Sequence, residues 1–145
     1  MKRISIIALL LTVLCVAANA RGKQPIVFDK LPQAVQDSVL AHFTADQLQL
    51  ATSLKTRPRF YEYDLRMADG TKMEYNKKAQ LLKVSNKAGI QSSFVPEEIL
   101  TYVQANFPNA VITKYECESF KKVIKLNDDM TLTFNKQGKF IRIED

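Results

Sequence analysis

The residues best suited to thiol, metal or acid–base chemistry are few: one histidine, His42, two cysteines, Cys15 and Cys117, and fifteen carboxylates. His42 stands one position before the apolar Phe43, toward the end of a helical pattern. A metal centre or a Ser–His pair needs partners at fixed spacing, and H-E-x-x-H, C-x-x-C and G-x-S-x-G are all absent. His42 therefore reads as a partly exposed residue favoured by a helix C-terminus. Cys117 shares strand parity with Val111 and Tyr115 and is expected to point inward. Glu116 and Glu118 beside it oppose thiolate formation. Asn127-Asp128-Asp129 has acids in a loop but lacks the alternating ligands and closing glutamate of a calcium loop, and reads as a turn. These residues predict no catalytic group, no metal ligand and no cofactor, and a protein that is not an enzyme.

Four further acids, Glu62, Asp64, Asp69 and Glu74, sit on a hairpin. From Phe60 to Asn76 the odd positions Tyr61, Tyr63, Leu65, Met67, Met73 and Tyr75 are apolar, and the even positions are mostly charged. That is the period-two pattern of two strands with one buried and one wet face. A two-residue Asp69-Gly70 turn would set Met67 against Lys72. A three-residue loop, Ala68-Asp69-Gly70, pairs Met67 with Thr71, Leu65 with Met73 and Tyr63 with Tyr75, and predicts Gly70 in the left-handed conformation. Glu62, Asp64, Arg66, Lys72 and Glu74 then share the wet face.

The chain opens on Met1-Lys2-Arg3, a nearly all-apolar run from Ile4 to Ala18, and Ala18-Asn19-Ala20 before Arg21. The run is short for a spanning helix, and the flanks are those of a secretory signal peptide, residues 1–20. Leu14 before Cys15 is not small, which argues against a lipid anchor. Cleavage after Ala20 removes twenty residues, including Lys2, Arg3 and Cys15 but no acid. It leaves 125 residues of net charge +4, from 19 basic and 15 acidic residues, with Cys117 as the single thiol. The expected location is the periplasm or the cell exterior, with no stable membrane anchor. Residues 21–145 are expected to form one domain held by a hydrophobic core, because no internal disulfide is possible.

Residues 21–28 read as an extended leader. Leu31, Val35, Val39 and Phe43 recur every four residues and predict a helix, with Pro32 in its first turn. Leu48, Leu50, Thr52 and Leu54 alternate with Gln49, Ala51, Ser53 and Lys55 as a strand. The hairpin and a short strand at 80–84 follow, and residues 85–93 read as a linker. The pattern then repeats. Val95, Ile99, Val103 and Phe107 restate the helical stripe 64 residues on, and Tyr75-Asn76-Lys77 returns as Phe134-Asn135-Lys136, 59 residues on. Between them come a strand from Val111 to Cys117, a second hairpin from Phe120 to Phe134 and a last strand around Phe140–Ile143. The expected fold is α+β: two tandem α-β-β-β(-β) repeats, about 29–84 and 94–143, in an antiparallel sheet with both helices on one face.

On these residues the chain resembles the PepSY-like, β-lactamase-inhibitor-like family of small exported bacterial proteins, a domain of unknown function. The resemblance rests on Leu31-Pro32 and Val95-Pro96, on Tyr63-x-Leu65 with Ala68-Asp69-Gly70, and on Tyr75-Asn76-Lys77 and Phe134-Asn135-Lys136-Gln137-Gly138. It covers nearly all of residues 21–145 and implies architecture, with no catalytic residue to carry over. Asn76 and Asn135 stand where the family has aspartate, Ala79 where it has glycine, and Asp129 where the first repeat has Gly70. Asp129 tolerates a left-handed conformation, whereas Ala79 predicts a turn of different shape.

A duplicated sheet without catalytic groups points to a binding or inhibitor-type module whose partner is an envelope or extracellular protein. Its expected contact surface is the helix-free face with Glu62, Asp64, Arg66, Lys72 and Glu74. The alternative is a periplasmic protein that binds a small ligand, an anionic glycan or a lipid headgroup. For that, Lys77, Lys83, Lys136 and Arg142 would form a basic edge if the repeats stack. Nucleic acid is not expected, since no aromatic-basic recognition motif occurs.

Overall fold

A computed structural model describes residues 22–57 and 60–145. The predicted signal peptide and its cleavage site lie outside them. The elements run β1 (Lys23–Pro25), α1 (Gln33–Leu40), β2 (Leu48–Arg57), β3 (Phe60–Met67), β4 (Lys72–Tyr75), β5 (Leu81–Ser85), α2 (Glu97–Asn106), β6 (Ile112–Cys117), β7 (Lys121–Leu126), β8 (Thr131–Asn135) and β9 (Phe140–Glu144). All nine strands pair antiparallel in chain order, in one sheet. The repeats join edge to edge where β5 meets β6, with Val84 opposite Tyr115. The leader adds a strand that the repeat pattern does not contain: β1 lies along β2, with Gln24 opposite Ser53.

The hairpin takes the three-residue register. Leu65 faces Met73, Tyr63 faces Tyr75, and the Met67 amide bonds the Thr71 carbonyl at 2.8 Å. Gly70 has φ +90°, the left-handed region that an ordinary side chain disfavours. The second repeat closes the same loop with an aspartate. Leu126 N–H bonds Met130 O at 2.9 Å, and Asp129 sits at φ +71°.

One turn departs from expectation. Ala79 does not change its shape. It adopts φ +60°, and its loop makes the bonds of the Gly138 loop, Asn76 N–H to Gln80 O (2.9 Å) and Asn135 N–H to Lys139 O (2.8 Å). In each loop the asparagine carboxamide oxygen accepts from the two amides that follow it in the turn, Lys78 and Gln80 or Gln137 and Lys139. That Asx geometry holds the backbone in place although Ala79 has a Cβ.

β2 also differs from its simple alternation. A bulge between Leu48 and Leu50 shifts parity, so Leu48 stays with Met67 on the core side while Leu50 turns outward, 46% exposed, opposite Arg66. The small Ala51, opposite Leu65, takes the buried place.

Both helices begin one residue later than their proline, which occupies the N-cap with extended backbone (Pro32 ψ 144°, Pro96 ψ 143°). α1 ends at Leu40, short of Phe43; His42 N–H closes a tighter turn onto Val39 O, and a Thr44–Gln47 capping box then redirects the chain. Leu31, Val35, Val39, Phe43, Val95, Ile99 and Val103 are all buried in one cluster with Met67, Met73, Tyr75, Ile124, Leu132 and Phe134, so both helices cover the same face. Phe107 is only half-buried against it. The linker is ordered: Asn86 and Ile90 N–H bond Thr113 and Ile112 O, and Phe94 is buried.

Candidate functional site

With the helices on one side, the other side of the sheet presents side chains in rows across the strands. One row runs Pro25, Thr52, Asp64, Glu74, Lys83, Glu116, Val123, Thr133, Arg142, crossing all nine strands. The next runs Leu50, Arg66, Lys72, Ser85, Lys114, Lys125, Thr131, Glu144. Four of the five expected face residues fall in these two rows, and Glu62 stands beside them opposite Leu54. No helix among the described residues covers this side, yet Val123 and Thr133 are only 8% and 4% exposed. They lie in register between Glu116 and Arg142.

The two rows differ in charge balance. In the first, each acid has a lysine. Lys23 bonds Asp64, Lys83 reaches Glu74 at 3.0 Å and Glu116 at 3.9 Å, and Lys114 reaches Glu116 at 3.2 Å. In the second, cations oppose cations: Arg66 faces Lys72 and Lys114 faces Lys125. Among the described residues Arg66 and Lys72 form no ion pair. Lys125 pairs with Asp129 at 2.9 Å and holds that carboxyl below its ordinary range. Directly opposed like charges cost stability in a sheet, so the fold alone does not call for them.

The basic edge does not assemble. Lys77 and Lys136 lie on the β4–β5 and β8–β9 turns, four strands apart, which is roughly 19 Å. Lys83 is instead in the face row between Glu74 and Glu116, and Arg142 is engaged by Glu144 at 3.0 Å.

His42 has partners the sequence did not reveal. Its Nδ1 lies 2.8 Å from Ser93 Oγ, its ring stacks on Phe94 with centroids 3.8 Å apart, and its carbonyl accepts from Gln91 at 3.2 Å. These contacts tie the end of α1 to the turn before α2. Burial lowers the His42 pKa, opposite in direction to the helix C-terminal effect expected of it. Among the described residues no carboxylate bonds the ring, so the Ser–His pair lacks the orienting acid of a triad. Cys117 points to the core side, where it is half-buried; burial, and then the neighbouring Cys117 thiol, push the Tyr115 hydroxyl pKa up. Asp128 and Asp129 serve their turn, Asp128 accepting from Met130 N–H, and no cluster of three metal-ligating side chains occurs among the described residues.

A sheet covered by two helices on one side and open on the other, with ordered polar rows, defines a scaffold of the inhibitor-like sheet class. The chain belongs to the PepSY-like, β-lactamase-inhibitor-like family, whose model matches twice, over residues 19–83 and 61–142. Solved structures agree. A Bacteroides thetaiotaomicron protein, described provisionally as calcium-regulated and periplasmic, is 26% identical with a TM-score of 0.77, over 85% of this chain and 97% of that one. A periplasmic protein of the DUF2874 family from Bacteroides vulgatus is 28% identical with a TM-score of 0.77, over 87% and 99%. A second periplasmic protein of that organism, of unknown function, is 25% identical with a TM-score of 0.76, over 86% and 100%. Among curated proteins none matches this chain. No helix among the described residues is long and apolar enough to cross a membrane.

Proposed function

We propose that this protein is an exported, non-enzymatic binding module of the cell envelope that engages its partner through the helix-free face of the sheet. The observation that carries this reading is the second cross-strand row, where Arg66 opposes Lys72 and Lys114 opposes Lys125: Lys114 and Lys125 are held by Glu116 and Asp129, but Arg66 and Lys72 make no ion pair among the described residues, and their opposition costs stability. Export is supported by the signal-peptide pattern of residues 1–20 together with the periplasmic descriptions of the similar structures. The absence of an orienting group at His42 and the inward position of Cys117 favour binding over catalysis. A small-ligand carrier needs an apolar cavity between helices and sheet. A cavity beside α2, lined by Ile90, Leu100, Val103, Phe107 and Ile112, has a volume of about 170 Å³. Ligand pockets usually hold about 300–1,000 Å³.

Photo-crosslinking groups at Thr52 and Ser85 on the open face, and at Gln104 on α2, test the reading in the native envelope. Adducts are expected from Thr52 and Ser85 and not from Gln104. Adducts from α2 alone, or from none of the three, would overturn it.

A further inference from the structure

The cation row does not lie on a flat surface. At the junction of the repeats, between the loops Ala68-Asp69-Gly70 and Asn127-Asp128-Asp129, the open face sinks into a groove of about 650 Å³ lined by Lys72, Lys87, Lys114 and Lys125. Its floor and walls include Ser85, Asn86, Thr113 and Asn127. One acid, Asp129, also lines it and is held by Lys125, while Glu116 reaches Lys114 from the neighbouring row. Lys72 and Lys87 make no ion pair among the described residues. Arg66 continues the row on the far side of Lys72.

We infer that this groove binds a linear uronic-acid glycan lying across the strands, its carboxylates on the cation row. This rests on the open-face reading and names its partner class. Three observations select the ligand chemistry. Arg66 and Lys72, and Lys114 and Lys125, stand on neighbouring strands about 4.8 Å apart, and Lys72 and Lys114 stand two strands apart, so the cations fall at multiples of a spacing close to the length of one sugar ring. The hydroxyl and amide groups between the lysines match sugar hydroxyls. Ser85 lies midway in the row, directly between Lys72 and Lys114. The lining contains no aromatic side chain, whereas protein hot spots rely on aromatic anchors and single-stranded nucleic acid on stacking platforms. The Arg66–Lys72 pair acquires a purpose in this arrangement, because an anion between two opposed cations relieves their repulsion.

The test uses the exported chain with three probes: a short oligogalacturonate, the same oligomer methyl-esterified, and polyglutamate of similar charge. Titration calorimetry at low and high salt is expected to show oligogalacturonate binding that salt weakens, no binding of the ester, and weaker binding of polyglutamate. Lys72→Glu and Lys114→Gln together should weaken oligogalacturonate by about tenfold. Lys72→Glu alone should also raise the thermal midpoint, since it turns the Arg66 pair from repulsive to attractive. A role in solubility alone would leave binding unchanged. Equal or tighter binding of polyglutamate, retained binding of the ester, or no oligogalacturonate binding would overturn the glycan assignment. If crosslinks at Thr52 and Ser85 still form, the open-face reading stands without it. If they also fail, both fall.

Discussion

At the scale of single residues, two turn positions carry opposite consequences. Ala79 holds φ +60°, a conformation that costs an alanine about 1–2 kcal/mol relative to ordinary backbone. Replacing it by glycine removes that cost but adds unfolded-chain entropy, so Ala79→Gly should stabilise by about 0.5 kcal/mol. Gly138, its counterpart at φ +86°, is buried beneath α2, where a Cβ would stand 3.3 Å from Glu98 Cβ. Gly138→Ala should therefore destabilise by at least about 1 kcal/mol. Urea midpoints of both variants check the pair of signs. His42 supplies a pH signature. Its pKa in the folded chain lies below the ordinary value of 6.5, so the unfolded state binds more protons in the window between the two. Its contribution to stability is full above about pH 7 and declines as pH falls through about 6.5 toward the lower folded value. Thermal midpoints followed from about pH 7 to about pH 5.5 should drop in the wild type and stay flatter in His42→Gln.

At the scale of elements, the hairpin register was decided by parity. A slip by one residue would have turned Leu65, Met67, Met73 and Tyr75 to solvent, which no turn preference could offset. The same parity reasoning fails in β2, because a bulge inserts one extra residue and changes the side on which everything after it lies. Leu50 then becomes a neighbour of Arg66 on the open face. The basic edge fails for a related reason. It assumed that turns at equivalent positions lie together, but repeats joined edge to edge set them four strands apart.

For the whole molecule, the β5–β6 pairing and the shared helix cluster predict one cooperative unfolding unit. Val84 and Tyr115 belong to different repeats yet are buried in the same cluster, and Phe43 touches Phe94 across the boundary, with centroids 6.2 Å apart. Phe43→Ala and Ile99→Ala remove buried side chains from opposite halves, and truncations of this kind cost about 2–5 kcal/mol. Each should lower the midpoint of a single denaturation transition, read by circular dichroism and by calorimetry. Two transitions, each answering to one variant only, would mean independent halves.

The sequence by itself determined what depends on neighbours along the chain. Period-two alternation placed Tyr63, Leu65, Met67, Met73 and Tyr75 inward, four-residue stripes placed both helices on apolar surface, and turn chemistry placed Gly70 and Asp129 at left-handed positions. The expected face residues followed from the same parity. Tertiary structure alone decided what depends on strands distant in sequence coming into register. Lys114 and Lys125 join the row of Lys72 only because β5 pairs with β6, and Ser93 reaches His42 only because the linker folds back onto the end of α1. Pairing register between repeats is set by the packing of the whole core, so no local pattern in the chain could have shown the row that it creates.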